Sequence, residues 1–251
     1  MDYQPAGLLR TLGAAARVWS SAGYHETNPE WWLALSGGSN VNFNLACCQS
    51  PLSSELSEHC LQPLLDQKKP GIIMLAGPGL STAQTLIDAG WVNVGAQPLM
   101  LLSRDDEVRH EDPAVHSLAV EDLASAREVL THSFSLDEAG AITVIPDTAI
   151  QDDSTTVWGL SEGDQLLATV TIVREDGLAV VWSMATRSES QRRGYGRRLL
   201  ETVLAREFHD GATGSLLNSS KAGERLYREL GFSAVDYLQL WSRPRWVLGA
   251  N

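Results

Sequence analysis

Gly194 and Gly196 stand at the head of an apolar stripe, Leu199, Leu200, Val203, Leu204 and Phe208, whose spacing predicts a helix. Ahead of them, Val180-Val181-Trp182-Ser183-Met184-Ala185-Thr186 reads as a buried strand. A strand that hands over to a helix through a glycine loop narrows the folds open to the chain. Glycine removes side chains where the backbone must turn and come close to something. A helix N-terminus offers unpaired N–H groups and the positive end of a dipole, which suits a phosphate or pyrophosphate. Arg192, Arg193, Arg197 and Arg198 add positive charge in a chain whose net charge is −12. Taken alone, the loop fits an ordinary strand-to-helix turn with a solvated basic face equally well.

Two familiar glycine loops do not match. A Walker A loop needs Gly-Lys followed by Ser or Thr, and the chain has none. A dinucleotide fingerprint needs a third glycine or alanine where Leu199 stands, and its loop follows the strand directly, whereas Arg187 to Ser190 intervene here.

Gln191-Arg192-Arg193-Gly194-Tyr195-Gly196 resembles the Q/R-x-x-G-x-G/A acetyl-CoA signature of the GCN5-related N-acetyltransferase (GNAT) superfamily. The strand ending Met184-Ala185-Thr186 stands where that family keeps a splayed strand. Ser220 to Phe232, with Ala222-Gly223, Leu226-Tyr227 and Leu230-Gly231-Phe232, resembles the family's closing S-x-A-G-x-x-L-Y-x-x-L-G-F segment. The resemblance covers roughly the second half of the chain. It implies an α/β protein with a mixed sheet, the GNAT fold in the C-terminal half, and acetyl-CoA as the cofactor.

Composition is that of a globular protein, with 251 residues, 43% hydrophobic and 20% charged. The acidic balance argues against bulk nucleic-acid binding, which needs Lys and Arg to neutralise phosphates. Cys47, Cys48 and Cys60 do not make a disulfide framework and fit a reducing cytoplasm. No C-x-x-C or His cluster suggests a metal. The start of the chain lacks a signal layout, and no apolar run reaches the ~20 residues of a membrane helix. Nothing separates a monomer from a homodimer.

Read in order, Leu8 to Ser21 is an amphipathic helix, and residues 30–35 and 41–46 are a strand pair about the turn Ser36-Gly37-Gly38-Ser39. Asn40, Asn42 and Asn44 alternate on the second of these, lining either a pocket or a solvated face. Leu52 to Leu65 reads as a helix and residues 71–76 as a buried strand. Ser81 is the expected cap of a helix ended by Gly90, and Trp91 to Ser103 is a strand. Asp105 to Pro113 is polar and reads as a linker. Two helical stretches, 120–134 and 137–145, precede strands at 156–161, 165–174 and 178–186. A helix from Gly196, a strand at 214–218, a helix at 221–230 and a strand at 233–243 follow. Strands 178–186 and 214–218, joined by a crossover helix, are expected to be parallel.

Ser81 to Arg104 and Ser220 to Arg243 echo one another. One has Ala89-Gly90-Trp91 before Leu101-Leu102-Ser103-Arg104, the other Leu230-Gly231-Phe232 before Leu240-Trp241-Ser242-Arg243. The echo is either a pair of unrelated helix-to-strand corners or, as the reading favoured here, tandem GNAT-like domains: residues 1–104 as a degenerate copy that shapes the substrate pocket, 105–113 as linker, and 114–251 as the acetyl-CoA-binding catalytic domain. The first half has no glycine loop before its residue 72 strand, and Leu86 falls where Tyr227 falls in the second.

The resemblance also implies roles. The backbone N–H groups of Arg192 to Arg197 hold the pyrophosphate with arginine support, and Met184, Ala185 and Thr186 bind pantetheine through their backbone. A backbone N–H near Met184 polarises the thioester carbonyl, and Tyr227 protonates the thiolate. Asn218 contacts pantetheine; Ser220 does the same or caps the following helix. The strand 178–186 carries no carboxylate or histidine, so the base is His132, Asp137, Glu138 or a water chain. The expected reaction moves an acetyl group to a primary amine of a small molecule or peptide, by direct attack in a ternary complex. The alternatives are a protein that binds acyl-CoA without turnover, or transfer of a longer acyl group.

Overall fold

Short apolar runs bounded by turn residues become strands here, and stripes at helical spacing become helices. The computed structural model describes residues 4–21, 23–104 and 111–247. The expected linker, Asp105 to Pro113, therefore lies largely outside the described residues. In chain order, α1 (Pro5–Ala15), α2 (Arg17–Ser20), β1 (Tyr24–Thr27), β2 (Trp31–Leu35) and β3 (Asn44–Cys48) come first. Next are α3 (Gln62–Asp66), β4 (Ile72–Leu75), α4 (Ala83–Asp88) and β5 (Val92–Ser103). Then come β6 (Val115–Ser117), α5 (Leu123–Phe134), α6 (Glu138–Val144), β7 (Thr155–Glu162), β8 (Gln165–Glu175) and β9 (Leu178–Thr186). The last are α7 (Tyr195–His209), β10 (Gly214–Asn218), α8 (Glu224–Glu229), β11 (Ser233–Ser242) and α9 (Pro244–Val247).

The chain divides into two units, one of Met1–Met100, Asn218–Ala222 and Ala234–Asn251, the other of Leu101–Leu217 and Gly223–Ser233. Nearly all of β11 thus falls in the first unit, although it is the last strand in sequence. It pairs antiparallel with β4, Leu240 opposite Met74 and Trp241 opposite Ile73, and the Ser242 hydroxyl donates to the Gly71 carbonyl at 2.9 Å.

In the first unit β1, β2 and β3 are antiparallel, and β4 runs parallel to β3. Trp31, Leu33, Ala46, Cys48, Ile73 and Leu75 share one buried cluster with Leu56 and Cys60. The latter two lie on a π-helical turn, Leu56–Leu61, that runs into α3, where the sequence suggested one regular helix. The alternating asparagines are not a strand face. Val41–Phe43 is a 3₁₀ turn whose Asn42 N–H is capped by the Asn40 side chain. Asn44 is fully buried, and its Nδ2 donates to the carbonyls of Gly38 at 2.9 Å, Asn40 at 3.3 Å and Pro70 at 2.9 Å. A polar side chain among carbonyls that strands leave over is a tie, not a pocket wall.

In the second unit β6, β7, β8 and β9 are antiparallel neighbours and β10 runs parallel to β9, as the crossover through α7 requires. Helix α5 packs on β8 and β9, and α7 on β7, β8 and β9. Leu199, Leu200, Val203 and Leu204 of α7 are fully buried, which fixes the N-terminus of that helix against the sheet. No described helix is long and apolar enough to cross a membrane.

Candidate active site

Two irregularities in β9 create the site. Its pairing with β10 runs from Leu178–Gly214 to Val180–Leu216 and stops there, while β9 itself continues to Thr186. On its other side β9 stays paired with β8 to Thr186–Ala168, with a register shift at Thr169/Thr171. Thr171 faces Trp182 and Thr169 faces Ala185, so Ser183 and Met184 together oppose Val170 in a β-bulge. Ser183 takes the left-handed conformation, φ 51°, and its buried hydroxyl finds no partner among the described residues. Beyond Val180 the strand has no ladder pairing with β10, and such an edge can pair with an extended ligand. The parallel pair of the first unit behaves differently. There β3 and β4 stay paired from Leu45–Ile72 to Cys48–Leu75. The Ala76 N–H then donates to the Cys48 carbonyl at 3.1 Å. Gly79 lies so close that a Cβ on it would sit 2.2 Å from that carbonyl oxygen.

The glycine loop is exposed from Gln191 to Gly194. Arg192 (φ 58°) and Gly194 (φ 87°) are left-handed, and α7 starts immediately after, at Tyr195. The first N–H of α7 to reach a carbonyl is that of Arg198, on Gly194 at 3.0 Å, so those of Tyr195, Gly196 and Arg197 are left over. Left-handed turns interleaved with ordinary ones gather such N–H groups into an anion-binding concavity. The first turn of α7 carries no acidic residue to compete for it.

The side chains here divide in a way the sequence did not disclose. Arg197 pairs with Glu201 at 2.9 Å and Glu229 at 3.6 Å. Arg198 pairs with Asp112 at 2.7 Å and Glu162 at 3.3 Å. Tyr195 is buried, and its hydroxyl donates to Glu162 at 2.9 Å, a bond that raises the phenol pKa. Arg192 and Arg193 have no carboxylate partner among the described residues, and Arg193 lies over the Tyr195 ring at 5.4 Å. Gln191 reaches back to the Thr186 carbonyl at 3.2 Å.

Helix α8 brings Tyr227 to the bulge. Its hydroxyl donates to the Met184 sulfur at 3.6 Å, and its ring meets Phe232 edge-on at 5.8 Å. Burial pushes the phenol up to about 12. Gly196 faces the same spot, since a Cβ there would lie 3.2 Å from Met184 Cε and 3.3 Å from Thr186 Oγ1. The structure thus gathers Met184, Thr186, Gly196 and Tyr227 in one place. Ala185 is buried opposite Thr169.

Asn218 and Ser220 belong to the first unit. The Asn218 Nδ2 donates to the Pro98 carbonyl at 3.2 Å. Ser220 is exposed and does not cap α8, which starts at Glu224 after Gly223 with no side-chain cap. Ser81 likewise does not cap α4; its hydroxyl donates to the Pro78 carbonyl at 2.9 Å. Among the candidate bases, Asp137 caps α6 by accepting the Gly140 N–H at 2.7 Å, and His132 and Glu138 are exposed. Sequence reasoning missed Arg187 and Glu128, an ion pair at 2.9 Å where β9 ends. An arginine directly after an apolar strand was its only trace.

Residues 117–232, just under half of the chain, match the family described as Acetyltransferase (GNAT) family. No curated protein matches the chain. Among solved structures, a GCN5-related N-acetyltransferase from Kribbella flavida superposes with a TM-score of 0.66 at 16% identity, over 94% of this chain and 95% of that one. A GCN5-related N-acetyltransferase from Sphaerobacter thermophilus gives 0.60 at 13%, over 95% and 90%. An acetyltransferase of the GNAT family from Colwellia psychrerythraea gives 0.56 at 12%, over 96% and 98%. At such identities the likeness is one of fold, and the fold of this chain is the GNAT fold.

Proposed function

We propose that the protein transfers an acetyl group from acetyl-CoA to a primary amine of a small molecule or peptide. The observation that carries this reading is the parting of β9 from β10 beside the exposed, N–H-rich start of α7. An extended pantetheine arm would pair with the edge of β9 beyond Val180, about Met184, where the pairing with β10 has ended, and a diphosphate fits the concavity at Arg192 to Arg197, with Arg192 and Arg193 as the cations that no carboxylate holds among the described residues. Bound acetyl-CoA supplies an activated thioester. The chain's own share is to hold it, to aim a backbone N–H of the bulge at the carbonyl oxygen, and to keep a protonated phenol at Tyr227 for the departing sulfur. The amine loses its proton to water or to one of His132, Asp137 and Glu138.

Residues 1–104 form, on this reading, a copy that has lost the cofactor site. Two matched details support the kinship. Trp91 N–H donates to the Leu86 carbonyl at 2.8 Å after the left-handed Gly90, and Phe232 N–H to the Tyr227 carbonyl at 3.0 Å after the left-handed Gly231. The unparted β3–β4 pair supports the loss. The test is thiol release from acetyl-CoA across a panel of amines, alongside calorimetry with coenzyme A. Release with at least one amine is expected. Binding without release from any amine would favour an acyl-CoA-binding protein, and no binding would end the proposal.

A further inference from the structure

Arg187 is only 7% exposed, at the point where β9 ends and the loop begins. A buried guanidinium is costly unless its charge and donors are matched. Here the matching is directional. The backbone N–H of Arg187 donates to the Leu167 carbonyl at 2.9 Å and Nε to the Leu166 carbonyl at 2.7 Å, both on β8. Nη1 donates to Glu128 on α5 at 2.9 Å. One residue earlier, the Thr186 carbonyl accepts the Ser133 hydroxyl of α5 at 2.9 Å and the Gln191 side chain at 3.2 Å. The Arg187 carbonyl accepts the Ser190 N–H at 2.8 Å, closing the turn that leads into Gln191. Helix α5 therefore grips the end of β9 at Glu128 and Ser133, while the N–H and Nε of Arg187 fasten it to β8.

We propose that Arg187, clamped by Glu128, is a positioning residue that holds the parted end of β9 and the loop behind it in the shape that grips coenzyme A. The inference rests on the acetyl-CoA reading above. Without the clamp, the strand end and loop must be ordered at the moment of binding, and affinity falls by that cost. Lysine replaces the charge but not the fork, because one ammonium cannot reproduce the paired geometry to both Glu128 and Leu166.

The experiment measures coenzyme A binding by calorimetry and steady-state kinetics on the full chain for Glu128→Gln, Arg187→Lys and Arg187→Met. Arg187→Met leaves Glu128 without its partner and opens a buried gap, which endangers the fold. Glu128→Gln keeps the side-chain shape at a position 55% exposed, so it stays readable. Glu128→Gln is expected to weaken coenzyme A binding and raise the KM for acetyl-CoA together, by roughly tenfold, an ordering cost of one or two side chains. Its kcat stays within about twofold, since no transition-state contact is lost. Arg187→Lys should recover part of what Arg187→Met loses. Wild-type affinity in both Glu128→Gln and Arg187→Lys, or a loss confined to kcat, overturns the proposal. A wild-type protein that binds no coenzyme A removes the acetyl-CoA reading itself, which is a separate result.

Discussion

The hydroxyl of Tyr227 points at the sulfur of Met184, 3.6 Å away, at the bulge where β9 has parted from β10. A thioether is a weak acceptor. The phenol is thus held in place without being committed to a strong partner, and burial keeps it protonated by raising it to about 12. Tyr227→Phe is expected to lower kcat by about a hundredfold, at the low end of general-acid contributions, and to leave the KM for acetyl-CoA nearly unchanged. The pH dependence follows from the upward shift. The neutral phenol is favoured by folding, so its contribution is intact below ~10, the pKa of an unfolded tyrosine, and is lost as pH rises towards 12. An alkaline limb in kcat at pH 8–9 that vanishes in Tyr227→Phe would contradict this placement.

Gly196 separates stability from binding. It lies in the first turn of α7, where alanine is the better helix former. A methyl there meets Met184 Cε at 3.2 Å and Thr186 Oγ1 at 3.3 Å, so the neighbours or the helix start must give by a few tenths of an ångström. Gly196→Ala should therefore leave the melting temperature unchanged or slightly raised, while coenzyme A affinity drops about tenfold through the displaced backbone. Calorimetry and a thermal melt on the same sample check both halves. A large fall in melting temperature would show that Gly196 serves packing instead.

The unparted β3–β4 pair predicts the binding stoichiometry. Its strands stay bonded to Cys48–Leu75, and the turn after β4 lies on the Cys48 carbonyl. An extended ligand has no free edge to pair with there. Titration with acetyl-CoA should reach one molecule per chain. A second site of comparable affinity would overturn the reading of residues 1–104 as a copy without cofactor.

What the sequence revealed was local. The stripe from Leu199 to Phe208 and the glycines before it placed α7 and its loop, because both are consequences of neighbouring residues. The crossover from Leu178 to Asn218 gave the parallel pair by the same logic. Features that depend on distant partners were hidden. Nothing in Ser233 to Ser242 signals that the strand pairs with Ile73 to Leu75. The arginines looked alike in sequence, yet carboxylates at Asp112, Glu162 and Glu229 commit Arg197 and Arg198 and leave Arg192 and Arg193 without such partners among the described residues. The bulge at Ser183 was hidden within a run that reads as a plain buried strand, since a bulge is defined by the opposing strand.

Asn44 gives the last prediction. The sequence suggested a pocket-lining or solvated residue, for either of which alanine would be harmless to the fold. In the structure its amide is fully buried and ties Gly38, Asn40 and Pro70 together. Removing it takes the donor from the half-buried carbonyls of Gly38 and Pro70, each costing about 1–3 kcal/mol when left unsatisfied, while that of Asn40 keeps the Phe43 N–H at 3.2 Å. The 3.3 Å contact is the weakest of the set, so Asn44→Ala should cost about 3 kcal/mol in total. Denaturant unfolding measures this as a shifted midpoint at unchanged slope. Asn44→Asp should be no better, because a carboxylate has no N–H to offer and would repel the same carbonyls. Near-neutral stability of either variant would return Asn44 to the surface role its sequence spacing suggested.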